Sequence, residues 1–224
     1  MSAEAEFLDK VKANQREDVE QAVRNNASLA SAKDANGVSA VLWAIYRGHK
    51  DLAGWLADNG AKLTIFEASA LGRGDVIEKL LKDDPQLAND YSGDGFTALG
   101  LACFFGNVSA VEQLLRAGAE VNAADRNPMR VAPIHSAGAN RDPQIALTIT
   151  RMLIDSGAEI NVAQEGGWTP LHEAAAHGND ELVRLLLENG ADKNARGTNG
   201  KTPADLAMDA KYVETAALLI QPEV

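Results

Sequence analysis

Catalysis or metal binding in this chain would have to be built from few side chains. There are four histidines, at 49, 135, 172 and 177, a single cysteine, Cys103, and a serine, Ser136, beside His135. Two helical histidines bind one metal when they stand four apart on a common face. His172 and His177 stand five apart and do not share one. A serine nucleophile needs a base within hydrogen-bond reach, but neighbours in sequence on a helix point apart, which separates Ser136 from His135. The GRGD segment at 72–75 lacks the glycine pattern and the lysine of a phosphate loop and reads as a helix junction. A lone thiol supplies neither an internal disulfide nor a multi-cysteine metal site. No catalytic residue, cofactor or metal is expected.

The elements that carry these histidines recur along the chain. GWTPLHEAAAHGN starts at Gly167, GFTALGLACFFGN at Gly95, GVSAVLWAIYRGH at Gly37 and GKTPADLAMDAK at Gly200. The first three are each followed by a segment with paired leucines and a closing glycine, such as DELVRLLLENGADKNA. A divergent copy, APIHSAGANRDP, occupies 132–143. Two further copies, starting at Glu6 and Thr64, have lost the opening glycine but align with each other at a constant offset, which also carries Gly37 onto Gly95.

With a period of about 33 residues and a Thr-Pro-Leu-His-x-Ala core, the chain resembles the ankyrin-repeat family from end to end. Seven units fall near 4–36, 37–63, 64–94, 95–126, 127–166, 167–199 and 200–224. The resemblance implies an all-α-dominated solenoid of helix-turn-helix units with short β-hairpin fingers. In such repeats the motif histidine, here His135 and His172, ties adjacent units by hydrogen bonds, and His49 occupies a family position at the start of a second helix. Only His177 falls outside a structural slot.

The spacing has a physical logic in the sixth unit. Thr169 is placed to cap the first helix with its hydroxyl, and Pro170 suits the first helical position, where no N–H is needed. Leu171, Ala174 and Ala175 form its buried face, and Gly178 permits a left-handed cap. Leu182, Leu185 and Leu186 are the apolar stripe of the second helix. One unit buries too little apolar surface alone, so neighbours must stack into one array with polar end caps. Lys10, Asn14, Gln15 and Arg16 mark the first cap, and VETAALLIQPEV the last. Two departures stand out. Gly60 to Thr64 leaves no room for a finger between the second and third units. GANRDPQIAL lengthens the loop inside the fifth, with Pro143 starting its second helix.

Function then rests on surface. The family resemblance implies a partner protein bound on the concave side by finger tips and first helices. Carried over position by position, this selects Tyr46, Arg47, Leu71, Phe96, Phe104, Phe105, Trp168 and His177 as partner-binding residues. Several aromatics in these slots are unusual in a chain only 5% aromatic, and exposed aromatic clusters mark binding hot spots. Trp43, Leu101 and Trp55 are expected in the core, as is Cys103 as an inert thiol. Asn122, Asn161 and Asn194 are expected to cap finger turns through backbone hydrogen bonds.

Composition narrows the partner. The chain is 46% apolar and 24% charged, with net charge −11. Such a field repels nucleic acid and favours a basic or neutral protein surface. No apolar run is long enough to span a bilayer, and the first residues lack the basic start and apolar middle of a secretory signal. The expectation is a cytoplasmic monomer binding another protein. The competing readings are a groove for a small ligand or nucleotide, and a regulatory subunit of an enzyme.

Overall fold

The computed structural model describes residues 2–220. Within them, seven pairs of helices follow one another: α1 (Ala3–Lys12) with α2 (Arg16–Asn25), α3 (Ala40–Tyr46) with α4 (Lys50–Asp58), α5 (Ile65–Leu71) with α6 (Gly74–Asp83), α7 (Ala98–Phe105) with α8 (Val108–Arg116), α9 (Pro133–Gly138) with α10 (Pro143–Asp155), α11 (Pro170–Ala176) with α12 (Asp180–Glu188), and α13 (Pro203–Asp209) with α14 (Val213–Ile220). The first helices stack on one another in order, from α3 on α5 to α11 on α13, and the second helices form a parallel layer from α6 to α14. This is the all-α solenoid that the repeat pattern requires. Its fingers are turns rather than extended ladders. Isolated antiparallel bridges join Lys33 to Ser39 and Tyr91 to Thr97.

The first helices are short, and α7 is buried along most of its length. Ala98, Leu99, Gly100, Leu101, Ala102 and Cys103 are all buried in α7. The second helices are amphipathic, with Ala110, Val111 and Leu114 buried in α8 and Leu182, Val183, Leu185 and Leu186 in α12. Gly106 ends α7 in the left-handed conformation at φ 77°, a geometry that costs an L-residue with a Cβ. Burial pushes the Cys103 thiol pKa far up, so it is an inert packing group.

Hydroxyl caps start α3, α5, α7 and α13. Ser39 Oγ accepts from Leu42 N–H and Thr97 Oγ1 from Gly100 N–H. Thr64 and Glu67 form a capping box, and Thr202 Oγ1 accepts from Asp205 N–H. The expected hydroxyl cap of α11 is different. His172 Nε2 donates to the carbonyl of Lys201 (3.2 Å), so Nδ1 is the acceptor, taking the Thr169 backbone N–H (3.1 Å) and the Thr169 hydroxyl (2.9 Å). His135 repeats this arrangement, with Nδ1 accepting from Ala132 N–H and Nε2 donating to Trp168 O. Both histidines tie one unit to the next, and burial lowers both pKa values and keeps the rings neutral. His49 bonds through Nε2 to Lys12 O, joining the first two helix pairs.

Asn122 and Asn161, expected to cap their own finger turns, instead reach across to the next unit. Asn122 donates to Gly157 O and accepts from Glu159 N–H of the next unit. Asn161 does the same with Gly190 O and Asp192 N–H, and Asn89 with Gly118 O and Glu120 N–H. A second ladder runs at the helix junctions, where Asn107 donates to Ser69 and Ala70 carbonyls, Asn140 to Phe104 O and Asn179 to Pro143 O.

The connection from α4 to α5 is residues 59–64, whereas those from α2 to α3 and α6 to α7 are residues 26–39 and 84–97, each holding a 3₁₀ turn (Ala27–Ser31 and Pro85–Asn89). The extra residues of the fifth unit divide between loop 139–142 and α10, which has 13 residues against nine in α8 and α12. Asp142 caps α10 by accepting from Gln144 and Ile145 N–H, with Pro143 at its first position. Buried side chains form two groups, one from α1 to α4 and one from α5 to α14, which meet at α5 and α7, where Ala70 and Leu101 pack with the first group. At the far end Met208, Val213 and Ile220 are exposed, and residues 221–224 of the expected cap lie outside the described residues.

Candidate functional site

Four of the selected aromatics converge. Tyr46 ends α3 and Phe104 and Phe105 end α7, so the stacking of first helices brings these ends to one side. Phe96 comes in from the connection before α7. Tyr46 and Phe96 rings lie 6.0 Å apart and tilted by 58°, and Phe104 and Phe105 meet edge to face at 5.1 Å and 86°. These are favourable aromatic geometries. Together the four rings wall a cavity of about 430 Å³. Phe104 is 51% exposed at its mouth, while Phe105 and Phe96 are half-buried against the core.

The remaining wall comes from the finger before α9 and from α9 and α11. Met129, 53% exposed, and Val131 add apolar surface. His135, Ser136, Gln164, Asp125 and Glu173 add polar groups. His135 and Ser136 thus line the same cavity although adjacent on a helix. His135 still offers no free base, because both its ring nitrogens are already bonded to backbone. Gln164 Nε2 donates to Glu173 Oε1 at 2.9 Å. Asp125 is buried, and its Oδ1 accepts from Thr97 N–H at 3.1 Å. Burial outweighs that bond and, with the nearby charge of Asp94, pushes the Asp125 pKa up to about 7. Burial raises Glu173 as well, against the pull of His177. The Tyr46 hydroxyl is sealed from solvent without a hydrogen-bond partner, and burial with Asp94 raises its pKa far above the usual phenol value. No lysine or arginine lines this cavity.

The other selected residues stand apart from it. Trp168 is half-buried and stacks on His172 at 6.1 Å. Arg47 is exposed and lies 5.8 Å above Trp43, and Leu71 packs on the core. His177 lies on a separate hollow with Asn140, Arg141 and Tyr212, its Nδ1 bonded to Glu173 O. Trp43 is half-buried rather than core, with its indole N–H donating to Asp34 Oδ2 at 2.9 Å and Lys12 Nζ 4.3 Å from the ring centre. Trp55 is likewise half-buried, and Leu101 is buried and lines the cavity. The residues that repeat reasoning missed are Met129, Val131, Asp125, Gln164 and Glu173. An apolar Met129 at a finger tip was the one visible signal. The others depend on which units face one another.

A family model for ankyrin repeats in three copies matches residues 65–163 and 144–224. The chain belongs to the ankyrin-repeat family. Among its relatives, the tyrosine-protein kinase HTK16 of Hydra vulgaris is 33% identical over 140 residues, which is 59% of this chain and 17% of that protein. The tyrosine-protein kinase Shark of Drosophila melanogaster is 31% identical over 163 residues, 72% of this chain and again 17% of the relative. Human protein phosphatase 1 regulatory subunit 27 is 33% identical over 113 residues, half of this chain and 70% of that protein. The chain therefore spans about a sixth of the two kinases, and the kinase matches come through the ankyrin region. Ankyrin repeats are generally non-catalytic interaction modules with protein partners. Among the described residues no helix is long and apolar enough to cross a membrane, and no group of side chains is arranged to hold a metal.

Proposed function

We propose that this ankyrin-repeat chain is a non-enzymatic module that grips a partner protein through the side of the array where the first helices end. The observation that carries this reading is the aromatic-walled cavity, with Tyr46, Phe96, Phe104 and Phe105 gathered from two units. A rigid stacked array holds these side chains in place before association, which reduces the ordering cost of binding. The rings supply the desolvated centre that hot spots require. Arg47, Leu71, Trp168 and His177 lie outside the cavity and would contribute only to a partner that extends along the array. With a net charge of −11, a basic or neutral partner surface is favoured, and association is fastest at low salt. The expected setting is the cytoplasm and the expected state a monomer.

A small-ligand reading draws on the same cavity, whose volume falls within the range of ligand pockets. The resemblance to a phosphatase regulatory subunit supports a third version, in which the partner is an enzyme. A single substitution tests the common core. Phe104→Ala removes the most exposed ring at the mouth and leaves the packed core intact. It is expected to abolish partner capture, compared with the wild type by affinity purification and mass spectrometry, while the melting temperature stays within about 2 °C. An unchanged set of captured proteins would remove the cavity from the account.

A further inference from the structure

The aromatic cavity has an electrostatic character its walls alone do not suggest. Two carboxylates, Asp125 and Glu173, line it, and no lysine or arginine does. Asp94 adds negative charge beside both Asp125 and Tyr46. His177 is the one cation-forming side chain acting on Glu173, and it stands in a different hollow. His135 is held neutral by burial, with Nε2 committed to Trp168 O. Asp125 packs beside Gly100 of α7, where a Cβ would approach Thr97 Oγ1 to 2.8 Å and Asp125 Oδ1 only to an ordinary contact of 3.6 Å, so the glycine makes room for the Thr97 cap next to the carboxyl. The cavity is therefore greasy at its mouth and acidic where it meets α9 and α11.

We infer that the cavity receives an arginine side chain from a linear segment of a partner protein, its stem against Phe104, Phe105 and Leu101 and its guanidinium toward Asp125 and Glu173. The complement of an apolar, aromatic hollow with two carboxyl groups and no basic side chain is a cation with an apolar stem, whose charge favours the ionised form of both carboxyls. Arginine matches it better than lysine on two counts. The guanidinium stacks on aromatic faces, and it is more weakly hydrated than an ammonium, so it loses less on entering a half-enclosed site. Its planar donors also suit carboxylates. Glu173 already accepts one hydrogen bond from Gln164, and Asp125 one from Thr97, and each carboxylate retains further acceptor capacity. This inference rests on the proposed docking function of the same cavity and specifies what docks.

A random linear-peptide library displayed on phage tests both levels separately. It is selected on the wild-type chain, and the enriched peptides are then titrated against Phe104→Ala and against the double variant Asp125→Asn, Glu173→Gln. The amides keep the acceptors used by Thr97 and Gln164, and thermal unfolding confirms that each variant is folded. Peptides sharing one arginine, weakened at least about tenfold by Arg→Lys and by either variant, are the expected result. Peptides that lose binding with Phe104→Ala but share no arginine, or ignore the double variant, would overturn the arginine assignment and leave the docking site standing. Failure to enrich any peptide that depends on Phe104 would overturn both.

Discussion

At the level of single residues, the most consequential group is Asp125, a carboxyl buried beside the cavity with its pKa raised to about 7. In the unfolded chain an aspartate titrates near 3.8. Below that value both states are protonated and the shift has no effect on stability. As pH rises toward 7, the unfolded chain ionises while the folded one stays protonated, so folding loses stability. Above about 7 the loss is complete, at up to about 4 kcal/mol. Asp125→Asn keeps the acceptor for Thr97 N–H and cannot ionise. Its stability advantage over the wild type should be near zero at pH 4, grow to pH 7 and then level off, as read by urea unfolding across that range. An advantage that does not change with pH would mean that Asp125 titrates normally. His135 and His172 act in the opposite direction, because their lowered pKa values make the folded state lose stability as pH falls below about 6.5. Comparing the variant with the wild type at each pH cancels their contribution.

At the level of elements, the joints between units are polar, while their faces are apolar. Asn122 and Asn161 each exchange two hydrogen bonds with the following unit, at 3.1 and 2.8 Å for Asn122 and 2.9 and 2.8 Å for Asn161. Both side chains are exposed, so each bond is worth only about 1 kcal/mol net. Asn122→Ala and Asn161→Ala should each cost about 1–2 kcal/mol, and the two should add closely because they join different pairs of units. Asn194 has the same place in its repeat but no hydrogen bond to a following unit among the described residues, and Asn194→Ala should be close to neutral. Chemical denaturation of the three variants checks the contrast. Equal costs at all three sites would show that the asparagines work within their own turns, as repeat reasoning alone expects. In the fifth unit Asp142 and Pro143 together form a helix start, so most of the added chain lengthens α10.

For the whole molecule, the short connection at 59–64 coincides with the place where buried side chains divide into two groups. A stacked array opens in blocks set by its weakest interface. Native-state hydrogen exchange should therefore find α1 to α4 opening as one block, at lower free energy than α7 to α12, which share continuous apolar contacts. A single opening energy from α1 to α12 would show that Ala70, Leu101 and the shared packing of Phe66 hold the interface as firmly as the rest. The cavity straddles this region, drawing Tyr46 from α3 and the remaining walls from Phe96 onward. Loosening of the first block would thus reshape one wall of the proposed docking site.

The repeat fold was legible from the amino-acid order because each unit writes its own local rules. Thr-Pro at a helix start, small residues on a tightly packed face, paired leucines and a glycine at a left-handed cap each act within a few residues of themselves. The histidines of the motif were readable for the same reason, since their slot defines their partner. The cavity was only half legible. Phe104, Phe105, Phe96 and Tyr46 could be placed on one side by their positions in the repeat, but Trp168 and His177 share that register and stand elsewhere. Whether equivalent positions converge depends on how neighbouring units pack, and the short connection at 59–64 and the 13-residue α10 both depart from the repeat. Asp125, Gln164 and Glu173 meet those rings through contacts between units, with sequence separations far beyond any local signal. Local backbone and side-chain preferences therefore set the fold, whereas the stacking of one unit on the next decided which side chains share a site.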